Sequence, residues 1–157
     1  MPTDTPFPAP DVTLPSDGSA DVALSELRGA PVVLFFYPRD NTSGCTLEAK
    51  GFSAMLPEFT ALGVKVFGVS KDSLASHTKF TAKQELTVLL LSDENSNASE
   101  AFEVWKEKKM YGKVFMGIER STFLIDAEGQ VVQAWRKVKV AGHVDEVFAA
   151  AKALVNG

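Results

Sequence analysis

The chain carries a single thiol, and its position raises a chemical question. Cys45 is the only cysteine among 157 residues, and it lies in YPRDNTSGCTLEAKGF, residues 37 to 52. An apolar run ends at Tyr37, the segment from Pro38 to Gly44 reads as a loop, and a helical period starts at about Thr42. A thiol at the start of a helix faces unpaired backbone N–H groups and the positive end of the helix dipole, both of which favour a thiolate. Glu48 follows Cys45 by three residues, on the same helical face, and Thr42 precedes it by three.

The helix end is not sufficient by itself. A free cysteine titrates near 8.5, and holding it mostly ionised at neutral pH needs a shift of about 2.5 units, roughly 3.4 kcal/mol. A helix terminus supplies about 0.3 to 2 kcal/mol. The remainder must come from a cation and from local hydrogen bonds. Two arginines are available: Arg39 in the same loop, and Arg120 immediately before STFLID. Arg39 reads as a rim charge. Glu48 alone would oppose ionisation by like-charge repulsion. It makes sense as the anchor of an arginine that also reaches the sulfur. Thr42 is placed either to cap the helix or to offer its hydroxyl to a ligand.

The surrounding elements follow from hydrophobic period. DVTL (11–14) and DVALSEL (21–27) read as short strands around a Ser-Asp-Gly turn at 16–18. PVVLFFYP (31–38) is a continuous apolar run, suited to a central strand covered on both faces. A helix from Thr42 to Leu62 should end at Gly63 and be kinked or divided at Pro57. VKVFGVS (64–70) is predicted as a strand, 73–83 as a helix, TVLLLSD (87–93) as a strand and 97–108 as a helix. An extended loop is expected over 110–117, then a hairpin of STFLID (121–126) and QVVQAWRKV (130–138), then a closing helix over 142–154. This order predicts an α/β sandwich with a mixed sheet, resembling a thioredoxin-like layout with an added N-terminal β-hairpin.

The spacing Pro38-x-x-x-Thr42-x-x-Cys45 resembles the active-site signature of peroxiredoxins. FYPRDNTSGCTLEAKGF is similar to the bacterioferritin comigratory protein, or PrxQ, branch, and the likeness extends through VFGVSKDSLASHTKF, KKMYGK, GIERSTFLIDAEGQVV and AWRKVKVAGH. The resemblance implies one thioredoxin-like domain over 1–157 that reduces hydrogen peroxide and organic hydroperoxides through a cysteine sulfenic acid. It assigns Cys45 as the peroxidatic cysteine and Thr42 as the peroxide's hydrogen-bond partner. Arg120 would stabilise thiolate and leaving oxygen, Pro38 would shield the sulfur, and Glu48 would orient Arg120. No cofactor or metal is implied. A peroxide sensor or partner-binding module using the same cysteine is the alternative. A thiol–disulfide oxidoreductase would normally need Cys-x-x-Cys.

Relatives of this branch often carry a second, resolving cysteine where this chain has Lys50 or Thr81. Neither residue can resolve a sulfenic acid, so an outside thiol is expected as reductant: thioredoxin, glutaredoxin with glutathione, or a small dithiol. Ser43 stands where relatives commonly have proline.

Composition bounds the remaining possibilities. Hydrophobic residues are 45% and charged residues 23%, an ordinary globular balance, and the net charge of −4 does not suggest a nucleic-acid or anionic-membrane surface. No run approaches the roughly 20 apolar residues of a membrane helix, and the start MPTDTPFPAP does not read as a secretory signal, so a cytoplasmic protein is expected. The resemblance to a branch whose members are frequently monomers implies a monomer. His77 and His143 read as surface or capping residues, because no paired metal-ligand spacing accompanies them. Lys106, Lys108 and Lys109 read as a solvated face, and Trp105 and Trp135 as core, with the edge of the pocket as the alternative.

Overall fold

The computed structural model describes residues 5–16 and 19–157, so the turn expected at 16–18 lies largely outside the described residues. In chain order the elements are β1 (Phe7–Pro8), β2 (Thr13–Ser16), β3 (Ser19–Ala23), a 3-10 turn (Leu24–Leu27), β4 (Val32–Phe36) and α1 (Ser43–Ala61). They continue with β5 (Lys65–Ser70), α2 (Leu74–Gln84), β6 (Leu89–Ser92), α3 (Ala98–Ala101), β7 (Trp105–Met110) and β8 (Lys113–Ile118). The chain closes with β9 (Ser121–Ile125), β10 (Gln130–Trp135) and α4 (His143–Asn156).

Eight strands form a mixed sheet in the order β1-β10-β9-β4-β5-β6-β2-β3. The crossovers through α1 and α2 make β4, β5 and β6 parallel, whereas β9 runs antiparallel to β4. The expected N-terminal pair exists as antiparallel β2 and β3, at one sheet edge. Its second strand is shorter than expected, because Leu24 to Leu27 turn into the 3-10 segment.

Strand β4 is central because both of its faces are apolar. Val33 and Phe35 point into the core under α1 and α4, while Val32, Leu34 and Phe36 enter the core on the opposite face with Phe102, Phe123 and Ile125. Gly68 of β5 is required by this packing: a Cβ there would lie 2.7 Å from the Phe35 ring and 2.9 Å from Leu90 Cδ2.

Three expectations are corrected. Of the kink or division expected at Pro57, the division does not occur, since α1 runs unbroken from Ser43 to Ala61. Proline removes the N–H that would bond the carbonyl of Ser53, and that carbonyl accepts instead from Thr87 Oγ1 at 3.1 Å. The helix expected over 97–108 is the single turn α3, ended by Glu103 in a left-handed conformation at φ 62°. Its amides are held by a carboxylate, Ala98 N donating to Asp93 Oδ1 at 2.9 Å and Ser99 N to Asp93 Oδ2 at 2.8 Å. The segment read as an extended loop is then β8, which pairs with β7 as a separate two-stranded hairpin.

Candidate active site

The loop after β4 carries Cys45 to the end of the sheet where Arg120 also arrives. Pairing of Phe36 with Ser121 sets Arg120 opposite the start of that loop. Tyr37 N donates to Val69 O at 3.0 Å, Pro38 is half-buried, and Arg39 is exposed, as a rim charge should be. Asn41 takes a left-handed conformation (φ 64°) and turns the chain into α1. Thr42 is the N-cap residue, yet its side chain does not cap the helix. Its exposed hydroxyl donates to Arg39 O at 2.9 Å instead.

Cys45 is the third residue of α1, and only 1% of its surface is exposed. One turn later on the same face is Glu48, 0% exposed. The guanidinium of Arg120 bridges them: Nη1 donates to Glu48 Oε1 at 2.7 Å, and Nη2 donates to Cys45 Sγ at 3.3 Å. Gly44 makes this approach possible, because a Cβ there would lie 3.1 Å from Arg120 Nη2. Glu48 Oε2 is buried with no hydrogen-bond partner among the described residues. Burial pushes the Glu48 carboxyl up to about 7, against the charge and hydrogen bond of Arg120. For Arg120, burial alone would lower the guanidinium's pKa, but Glu48 and Cys45 outweigh burial and raise it.

The structure therefore joins Cys45, Glu48 and Arg120 by direct contact. Thr42 and Pro38 flank the helix entry without a hydrogen bond to the sulfur.

Several residues outside this group were read differently from sequence or not singled out. Of the lysines read as a solvated face only Lys109 is exposed; Lys106 and Lys108 are half-buried, and the Lys108 ammonium donates to Ile118 O. Burial and the charge of Arg120 lower its pKa, while Cys45 and Glu119 oppose that shift. His77 and His143 are buried, not superficial. His77 Nδ1 lies 2.8 Å from Asp40 Oδ2 and its Nε2 lies 2.9 Å from Leu91 O, which ties the Cys45 loop to α2. Asp40 also accepts from Tyr37 Oη at 2.7 Å and from Ser76 Oγ at 2.7 Å. His143 Nε2 meets Thr122 Oγ1 at 2.8 Å. Burial and Arg120 lower the pKa of this imidazole, against the opposing charge of Glu146. A sequence signal existed for His77, which shares a helical stripe with the buried Phe80. Both tryptophans are half-buried at core edges: Trp105 lies under the Lys71 ammonium, and Trp135 Nε1 donates to Glu146 Oε2 at 3.2 Å.

The sequence from 7 to 134 matches the family model described as the AhpC/TSA family. The chain belongs to this family. Among its relatives, it is 54% identical over 143 residues to Peroxiredoxin Bcp of Xanthomonas campestris pv. campestris, covering 91% of this chain and 89% of the relative. It is 50% identical over 140 residues to Peroxiredoxin Bcp of Bacillus subtilis, covering 89% of each. The solved bacterioferritin comigratory protein of Xanthomonas campestris superposes with a TM-score of 0.87 at 52% identity, covering 92% of each chain. Those structures are of trapped intermediate and ligand complexes and bear on that protein's alkyl peroxide reduction activity. The mixed sheet and its helices thus form a thioredoxin-like peroxiredoxin fold of the PrxQ kind.

Proposed function

We propose that this peroxiredoxin is a thiol-dependent peroxidase in which Cys45 is the peroxidatic nucleophile. The observation that carries the reading is the 3.3 Å contact from Arg120 Nη2 to Cys45 Sγ, held from behind by Glu48. The thiolate attacks one peroxide oxygen, the O–O bond breaks, and the other oxygen leaves as water or an alcohol after taking a proton. Cys45 becomes a sulfenic acid. A guanidinium fork aimed at the sulfur also faces the leaving oxygen, where negative charge develops, so it stabilises the transition state more than the ground state.

Thr42 is assigned to the peroxide. Its hydroxyl hydrogen is used by Arg39 O, which leaves the oxygen's lone pairs free to accept from a peroxide O–H. Pro38 is assigned to the wall that keeps water from the sulfur. With Lys50 and Thr81 unable to resolve the sulfenic acid, an external thiol completes the cycle. Hydrogen peroxide and organic hydroperoxides are the assigned substrates, the latter supported by the alkyl peroxide activity of the Xanthomonas relative. One domain acting as a monomer in the cytoplasm, in antioxidant defence and redox homeostasis, completes the proposal.

The test is a peroxide-consumption assay with hydrogen peroxide and an alkyl hydroperoxide, comparing thioredoxin, glutaredoxin with glutathione, and a small dithiol as donors. Repeated turnover with at least one donor supports the enzyme. A single stoichiometric oxidation with no recycling by any donor would point to a sensor instead.

A further inference from the structure

The β7–β8 hairpin has a composition and exposure that the chemistry at Cys45 does not explain. It is a two-stranded ribbon outside the main sheet, closed by Tyr111 and Gly112 at φ 53° and 77°, the backbone of a tight hairpin turn. Register divides its side chains. Trp105, Glu107 and Lys109 share one face with Ile118, Met116 and Val114, and the base of that face packs on the body through Trp105 and Ile118. The other face pairs Lys106 with Gly117, Lys108 with Phe115, and Met110 with Lys113. That second face holds three lysines, Lys113 exposed and Lys106 and Lys108 half-buried, and no carboxylate, in a chain whose net charge is −4. Between the lysines lie Met110, 56% exposed, and Phe115, 43% exposed, with Tyr111 at the tip 96% exposed.

This face is linked to the arginine that holds the sulfur. Lys108 sits in the middle of it, and its ammonium donates to Ile118 O, two residues before Arg120, whose Nη2 donates to Cys45 Sγ. The exposed Leu47, two residues after Cys45 in α1, adds an apolar side chain on the helix that carries the thiol.

We propose that the Lys106–Lys108–Lys113 face of this hairpin docks the reductant of Cys45, and that this reductant is a protein dithiol whose thiol is set in an apolar patch with an acidic rim. The proposal rests on reading Cys45 as the peroxidatic cysteine. The occupant follows from three features. The chain has one cysteine, so the reductant of Cys45 must bring its own thiol to the sulfur. Lysines surrounding exposed apolar groups match an acidic rim around an apolar centre. Strands of six residues extend about 20 Å, a span suited to a protein surface rather than to a small thiol.

In the step served, a reductant thiolate attacks Cys45 Sγ of the sulfenic acid, and the hydroxyl leaves as water after taking a proton. The reductant's second thiolate then attacks its own sulfur in the mixed disulfide. Cys45 leaves as a thiolate, and the reductant departs oxidised by two electrons.

The experiment compares the wild type with Lys106→Glu/Lys113→Glu and, separately, Phe115→Ser. Each chain is assayed for steady-state peroxide reduction with thioredoxin, kept reduced by its reductase, and with dithiothreitol. Single-turnover oxidation of the reduced chain by peroxide reads the first step alone. The charge-reversed variant should show a KM for thioredoxin raised about tenfold and a weaker salt dependence, because rim charges act mainly on association. Phe115→Ser should raise that KM as well. Single-turnover oxidation and the dithiothreitol rate should stay at wild-type values in both variants.

An unchanged KM for thioredoxin in both variants would overturn the proposal, as would equal slowing with thioredoxin and dithiothreitol. It would also be overturned by a wild type that turns over with dithiothreitol but not with thioredoxin, or by a dimer that either variant dissolves, which would make the face a contact between copies. A wild type whose Cys45 is not oxidised in single turnover would remove the peroxidase reading as well, and that result is distinct from the others.

Discussion

Arg120 and Glu48 form a buried ion pair, Nη1 to Oε1 at 2.7 Å, in which the carboxyl is fully enclosed and the guanidinium only partly so. The asymmetry matters because the carboxylate loses its hydration and gains one strong bond in return, so its pKa is raised to about 7. In the unfolded chain the same group titrates near 4.5. Between these values the folded state holds a proton that the unfolded state releases, so this group's contribution to stability falls as pH rises from about 4.5 to about 7.

Glu48→Gln should therefore match the wild type in stability near pH 4.5 and gain on it as pH rises, by up to about 3 kcal/mol above pH 7. Urea denaturation across that range reads the difference. A wild type that gains stability relative to the variant over the same range would show that the ion pair outweighs burial. In the peroxide reaction, an inflection near pH 7 in the wild-type rate should be absent from the variant.

Arg120→Ala should slow peroxide attack by about 10²- to 10³-fold, the usual loss when one donor to developing charge is removed. Arg120→Lys keeps a charge but not a planar fork able to bridge Glu48 and Cys45, so a substantial loss, about tenfold or more, should remain. Stopped-flow kinetics with hydrogen peroxide measure both. A wild-type rate in Arg120→Ala would shift the cation's role elsewhere.

Gly44→Ala adds a Cβ 3.1 Å from Arg120 Nη2, and the guanidinium must give way by a few tenths of an ångström. A fall of about tenfold in the peroxide rate is expected, with little change in melting temperature, since small misplacements at a reacting centre cost more in rate than in stability. Combining it with Arg120→Ala should produce no further loss, because both changes act on one side chain.

His77 and Asp40 make a second buried pair, with side chains 0% and 2% exposed. Burial would lower the imidazole pKa, but the hydrogen bond and charge of Asp40, with the Leu91 carbonyl, raise it. Burial would raise the Asp40 pKa, but His77, Tyr37 and Ser76 lower it. The stability from His77 is thus complete below its unfolded value near 6.5 and is lost as pH rises through its raised folded value. That from Asp40 is present above about 3.8 and is lost as pH falls through its lowered folded value. His77→Asn should cost about 3 to 5 kcal/mol between those limits and less on either side. Thermal melts from pH 3 to 9 test this, and a pH-independent difference would show that the pair is not ionised.

Much of this architecture was legible because the signals were local. The apolar run at 31–38 fits a strand buried on both faces, and Val32 to Phe36 alternate between two cores. Cys45 and Glu48 share a helical face by spacing alone, and the resemblance supplied Arg120 as their partner. The hairpin β7–β8 was not legible, since WKEKKM contains helix-favouring lysines and lacks the alternation of a half-buried strand. Its pairing with β8, and the left-handed turn at Glu103 that ends α3, are tertiary choices. Asp40 and His77 were missed for a related reason: each is polar, and only the fold brings residues 37 positions apart into contact.

The most direct measurement mixes the reduced chain with a stoichiometric amount of hydrogen peroxide and follows both peroxide loss and dimedone capture at residue 45. Peroxide should disappear as Cys45 acquires the dimedone adduct of a sulfenic acid, and Cys45→Ser should do neither. Peroxide loss at the wild-type rate in the serine variant, or in a wild type whose Cys45 stays reduced, would contradict a nucleophile held by Arg120 and Glu48.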